Sequence, residues 1–131
     1  MPHFTDTNIV VYAYSDTGPK SQRAGELVFG AVISVQVLNE FANVAIRKLG
    51  YDETELDHRI SSIRRKVSAI FELDQHTHDL ARRLAFRYRL SFYDSALLAS
   101  ALLADCDIFY SEDLQDGLVI EEYLTIRNPF A

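Results

Sequence analysis

His3-Phe4-Thr5-Asp6-Thr7-Asn8, running on into the apolar Ile9-Val10-Val11-Tyr12, is the stretch that decides how this chain is read. Apolar and β-tolerant residues lead to an acid, and a helix-like segment leaves at once. A carboxylate at such a handover lies in the crevice where open α/β sheets bind ligands. Three later acids occupy comparable settings: Glu40 early in a helix, Asp94 in the first turn of another, and Asp113 just past a short strand. The four are read as one site.

Outward from Asp6, strand-like and helix-like segments alternate. A helix is expected over 7–15, a turn at Asp16-Thr17-Gly18-Pro19 and a second helix over 20–29 ending at Gly30. The apolar run 31–35 is a buried strand, and 36–49 a helix stopped by Gly50. Residues 52–71 read as an amphipathic helix through Leu56, Ile60, Ile63, Val67 and Ile70. A short strand at 71–73 and a helix from 77 to about 89 follow. His76 and His78, two apart, would point away from each other in a helix. The helix opened by Ser91-Phe92-Tyr93-Asp94 is apolar nearly all round and therefore buried. Taken alone, Asp94 suits the last position of a capping box. A strand at 108–111, a polar turn at 112–117, a short helix or turn at 118–123 and a final strand at 124–126 complete the chain. This alternation predicts an α/β fold with a mostly parallel sheet covered on both faces.

Composition fits that reading. The chain has 131 residues, 48% hydrophobic and 24% charged, as expected of a single globular domain over 1–131. No apolar run reaches membrane-spanning length, and the start lacks the regions of a signal peptide, so a cytoplasmic protein with no membrane association is expected. Cys106, the one cysteine, has no partner for an intrachain disulfide. The net charge of −6 speaks against a nucleic-acid binder until its distribution is seen. Bases crowd the middle, among them Arg64, Arg65, Lys66, Arg82 and Arg83, whereas acids dominate beyond Asp94. A basic region beside an acidic pocket suits an enzyme that grips phosphates, with the bases as candidate RNA contacts. A solvated helix face accounts for the bases equally well.

Carboxylates about 5 Å apart repel by roughly 3 kcal/mol per pair at an effective dielectric near 20. A fold holds them together only if they protonate or a cation sits among them. An oxygen-only ligand set suits Mg²⁺ or Mn²⁺ rather than Zn²⁺. Such ions activate water and neutralise phosphoryl charge, so phosphodiester hydrolysis is the natural chemistry.

Phe4-Thr5-Asp6-Thr7-Asn8, Val37-Leu38-Asn39-Glu40-Phe41, Phe92-Tyr93-Asp94-Ser95-Ala96 and Tyr110-Ser111-Glu112-Asp113-Leu114 resemble, in order and spacing, the four acidic motifs of PIN domains. The size and the tail from Leu124 to Phe130 are similar to those of VapC-type ribonuclease toxins. The resemblance implies a three-layer α/β/α sandwich with a central parallel sheet of order 3-2-1-4-5. It implies a Mg²⁺- or Mn²⁺-dependent endoribonuclease, the toxin of a type II toxin–antitoxin module. It also implies a homodimer held inactive by a VapB-like antitoxin. Carried over by motif, Asp6, Glu40, Asp94 and Asp113 are the catalytic and metal-binding quartet, with Asn8 and Ser111 as polar helpers. Asp116 is acidic where the family varies and is retained as a residue behind the ligands.

Three rivals are weaker. A receiver domain would want an acidic pair at the first strand and a lysine near the last, and no lysine follows Lys66. A haloacid-dehalogenase-like phosphatase needs Asp-x-Asp, and here the third position is Asn8. A non-catalytic PIN domain serving as an interaction module is the alternative that metal-dependent RNA cleavage would separate from the enzyme.

Overall fold

The computed structural model describes residues 2–15 and 18–131, so Asp16 and Thr17 of the turn expected over 16–19 lie outside the described residues, and Pro19 already opens a helix. The sheet is built around β1 (His3–Thr5), which pairs in parallel with β2 (Val32–Ser34) on one side and β4 (Ile108–Tyr110) on the other. β3 (Ala69–Phe71) joins β2 in parallel, and β6 (Leu124–Arg127) joins β4 in parallel. β5 (Val119–Ile120) pairs antiparallel with β6 at the far edge, giving the order β3-β2-β1-β4-β6-β5. The parallel part reproduces the expected 3-2-1-4-5, with β6 as its fifth strand. The sixth, antiparallel strand makes the sheet mixed and takes residues 119–120 from the stretch expected as a short helix or turn over 118–123, of which 121–123 are a turn.

β1 and β2 are buried on both faces, polar residues included: Phe4 and Thr5 are buried in the first, and Val32, Ile33 and Ser34 in the second. Phe4 is fully buried and stacks on Phe109 of β4, ring centroids 5.2 Å apart and planes 6° from parallel. Both faces of these strands are covered, so alternation is absent. Between β1 and β2 run α1 (Thr7–Ser15) and α2 (Pro19–Val28), the latter opened by proline, whose missing N–H is no loss in the first turn. α3 (Val35–Val44) continues through a π-helical turn (Ala45–Leu49) that Gly50 ends at φ 68°, a left-handed value that glycine adopts without strain.

α4 (Glu53–Lys66) starts at a reciprocal capping box between Asp52 and Glu55. It is shorter than the 52–71 helix read from periodicity. Val67 is already extended, and the Ser68 N–H and hydroxyl both donate to the Ala31 carbonyl, at 2.8 and 3.1 Å. Those bonds begin the pairing that makes 69–71 a strand, two residues ahead of the expected 71–73. α5 (Gln75–Tyr88) is capped by Asp74, and α6 (Phe92–Leu103) is buried along Ser95–Ala101.

Right-handed crossovers put helices on opposite faces when the strand order reverses. Moving from β1 through β2 to β3 places α1–α4 on one face. The return from β3 to β4 places α5 and α6 on the other. The order reverses at β1/β4, where Asp6 emerges, the position at which doubly wound sheets bind ligands. No helix among the described residues is long and apolar enough to cross a membrane.

Candidate active site

Asp6 follows β1 directly, its N–H donating to the Tyr110 carbonyl at 2.9 Å and so extending the ladder by one residue. Its own carbonyl accepts from Ile9 and Val10, which starts α1. Only 6% of the residue is exposed. Oδ1 accepts the Thr7 N–H and Oδ2 the Ser111 hydroxyl, both at 2.7 Å. Two donors would ordinarily hold a carboxyl low, but burial outweighs them. With Asp94 and Glu40 adding repulsion, the Asp6 carboxyl is pushed up to about 7.

Ser111 is fully buried, and its Oγ also accepts from the N–H groups of Asp113 and Leu114, at 3.1 and 3.3 Å. One hydroxyl thus ties the first acid to the loop that carries the fourth. Glu112, beside Asp113, accepts from Lys20 Nζ and from the Tyr12 hydroxyl, both at 2.6 Å, and these hold it below the usual carboxylate range.

Glu40 reaches the same place from α3. Its Oε1 accepts the Thr7 hydroxyl at 2.5 Å, and its Oε2 accepts from Gln36 Nε2 at 2.9 Å. Asp94 lies in the first turn of α6. The Ser91 hydroxyl accepts the Asp94 N–H at 3.1 Å, the forward half of the capping box, but the reciprocal bond to the Asp94 carboxylate is not made. Burial first, then the Glu40 and Asp113 charges, raise the Asp94 carboxyl, with the Ser91 hydroxyl opposing.

Asp6, Glu40, Asp94 and Asp113 line one cavity of about 560 Å³, together with Thr7, Asn8, Tyr12, Asn43 and Lys48. Both amide atoms of Asn8 are buried without a partner among the described residues, an orphaned polar group on the cavity wall. Among the described residues no three acids, histidines or thiols converge tightly enough to form a ready-made cage. The donor set nonetheless fits a hard divalent cation in kind. It is carboxylate only, two of its members are raised by burial and mutual charge, and an unpartnered amide stands beside them.

Asp116 is not brought to this cavity. Its Oδ1 accepts the Asn128 N–H at 2.9 Å, so it fastens the C-terminal tail. The bases, close together in sequence, are divided between layers. Arg64, Arg65 and Lys66 end α4, with Lys66 Nζ over the Tyr14 ring at 4.9 Å, whereas Arg82 and Arg83 lie on α5 and Arg82 pairs with Asp79 at 2.9 Å. Cys106 is buried and its thiol pushed up to about 11, chiefly by burial, which leaves it unreactive. Sequence reasoning missed Thr7, Gln36 and Lys48. The last two carried a signal: Gln36, Glu40, Val44 and Lys48 recur every fourth residue and share a helix face.

The fold and the acidic cavity define a class, and the chain belongs to the PIN domain family, whose model matches residues 4–115. Among solved structures it resembles a chain of a toxin–antitoxin complex from Klebsiella pneumoniae, with a TM-score of 0.72 and 19% identity over 98% of each chain. It also resembles VapC20 of Mycobacterium tuberculosis, described as a sarcin-ricin loop cleaving toxin. The TM-score there is 0.68 at 18% identity, over 85% of this chain and 89% of that one. A chain of VapBC-1 from nontypeable Haemophilus influenzae aligns over the full length of both, with a TM-score of 0.65 and 16% identity. Among curated proteins no sequence matches.

Proposed function

We propose that this protein is a divalent-metal-dependent endoribonuclease and the toxin of a type II toxin–antitoxin module. The observation that carries the reading is the gathering of Asp6, Glu40, Asp94 and Asp113 around one cavity, with the Asp6 carboxyl raised to about 7 and Asp94 raised by burial and its acidic neighbours. Nucleases of the PIN family use divalent cations, and VapC toxins of this family are ribonucleases. Here the four carboxylates would hold Mg²⁺ or Mn²⁺, which supplies an activated water and neutralises charge on the phosphoryl group.

The remaining work belongs to the chain. Ser111 and the Thr7 N–H orient Asp6, while the Thr7 hydroxyl and Gln36 orient Glu40. Lys48 on the cavity rim offers the RNA backbone a cation. The partner we propose is a VapB-like antitoxin that inserts an arginine among the acids, since guanidinium pairs bidentately with carboxylate and keeps its charge. A homodimer in the cytoplasm completes the proposal.

One observation favours the non-catalytic module: the acids do not form a ready-made cage among the described residues. Incubation with total RNA, with and without Mg²⁺ or Mn²⁺ and with cut ends mapped, separates the two. The enzyme cuts only with metal, and its expression arrests growth until the antitoxin is co-expressed. An inert chain in both metals is the non-catalytic module.

A further inference from the structure

A second cavity, of about 300 Å³, lies beside the acidic one and none of the site chemistry uses it. Its walls are Leu73, Phe92, Tyr93 and Ala96, with Gln36, Asp74, Thr77 and His78 as the polar members. The two cavities share a wall: Gln36 donates to Glu40, and Tyr93 directly precedes Asp94.

The aromatic members are not there for the core. Tyr93 is 63% exposed and Phe92 37%. Their rings meet edge to face at 5.7 Å, and the His78 ring lies 5.3 Å from that of Phe92. Exposed rings on a concave wall offer π-faces to a flat ligand. Two of the polar groups, Asp74 and Gln36, offer acceptor oxygens. Asp74 Oδ1 takes the Thr77 N–H and hydroxyl, both at 2.9 Å, which hold the carboxyl below its usual range and ionised at neutral pH. Among the described residues no donor occupies Asp74 Oδ2, and none occupies the side-chain carbonyl oxygen of Gln36, which donates to Glu40 through Nε2. An acidic wall repels phosphate but accepts the N–H edge of a base.

We infer that this pocket receives an unpaired nucleobase next to the scissile phosphate, stacked on the face of one of the two rings, Phe92 and Tyr93, with the other meeting it edge-on, and read at its N–H edge by Asp74 and Gln36. The inference rests on the ribonuclease reading of the neighbouring cavity. It makes the aromatic pocket a determinant of where RNA is cut, and it selects single-stranded loops, whose bases can be splayed out onto aromatic side chains.

The test maps cut ends in total RNA for wild type, Phe92→Leu, Tyr93→Leu and Tyr93→Phe. Base–aromatic stacking contributes about 1–3 kcal/mol per base, so each leucine variant should lose about 5- to 150-fold in kcat/KM. Base preference at one position flanking the cut should flatten, while Tyr93→Phe restores both and the metal-induced rise in Tm is unchanged in all. Wild type acting on an RNA abasic at that position should show the same loss, a readout that needs no variant to fold. Retained preference in the leucine variants, or equal cutting of the abasic RNA, overturns the inference and leaves the nuclease standing. Dissociation of an oligomer by the leucine variants with preference intact makes the pocket a protein contact and also overturns it. A wild type that cuts no RNA overturns the nuclease reading and this inference together.

Discussion

Asp6 shows how a single residue sets the character of the site. Its carboxyl titrates near 3.8 when the chain is unfolded and near 7 when folded. The folded state therefore holds the proton more tightly. The contribution to stability is full below 3.8 and is lost as pH rises through 7. Moving a carboxyl that far costs the ionised, metal-free fold on the order of 4 kcal/mol at most. Asp6→Asn removes the cost and keeps an oxygen that accepts from the Thr7 N–H, while the Ser111 hydroxyl, whose oxygen already accepts from Asp113 and Leu114, loses its acceptor. In EDTA the variant should melt above wild type, with the gap widening from about pH 5 to about pH 8. A variant that melts lower at both values would show that the carboxylate stabilises the fold and is not strained. The four acids were legible in the sequence because each sits inside a short motif with its own strand or helix. Thr7 was not, because its hydroxyl acquires a role only when α3 brings Glu40 within 2.5 Å, across 33 positions of sequence.

At the scale of elements, the β5–β6 hairpin is the piece that the sequence concealed. Its turn passes through Glu121 and Glu122, both left-handed at φ 53° and 60°, with the Tyr123 N–H donating to the Ile120 carbonyl at 3.1 Å. Turns of this type ordinarily carry Asn-Gly or Asp-Gly, and a Glu-Glu pair gives no such signal. Tertiary interactions hold it instead. The Glu121 N–H donates to the Tyr88 hydroxyl at 2.8 Å, and Arg87 at the end of α5 pairs with the Glu121 carboxylate. Glu122 has no such anchor among the described residues, so Glu122→Gly should raise stability by about 1 kcal/mol, read by chemical denaturation. A fall in stability would mean that the Glu122 side chain supports the turn. The α4–β3 boundary was misplaced for a related reason: Val67 and Ile70 continue a helical period, and only pairing with β2 makes 69–71 a strand. On α5, Arg82, Arg83 and Arg87 surround Phe86, which is 88% exposed. Replacing Arg82 and Arg83 with glutamine should weaken RNA binding and reduce the slope of log affinity against log salt by roughly one unit for every phosphate left unneutralised. An unchanged slope would make this a solvated face.

Across the whole molecule, topology does what no single motif can. Parallel strands deliver Asp6 and the Asp113 loop to one edge, and the reversal of strand order at β1/β4 opens the crevice between the helical layers. α3 and α6 then bring Glu40 and Asp94 to the same cavity from opposite faces of the sheet. The central claim is that these four carboxylates act as one cation site for RNA cleavage. It is tested most directly by single-turnover cleavage of one RNA oligonucleotide across a range of Mn²⁺, using wild type, Asp6→Asn, Glu40→Gln, Asp94→Asn and Asp113→Asn. Metal stabilisation of a phosphoryl transition state is worth several kcal/mol, so each variant should cut at least about 100-fold more slowly and need more Mn²⁺ for half its maximal rate. Cleavage by any of the four at the wild-type rate and the wild-type Mn²⁺ requirement would remove that residue from the site. The same result for Asp6 would contradict the site itself.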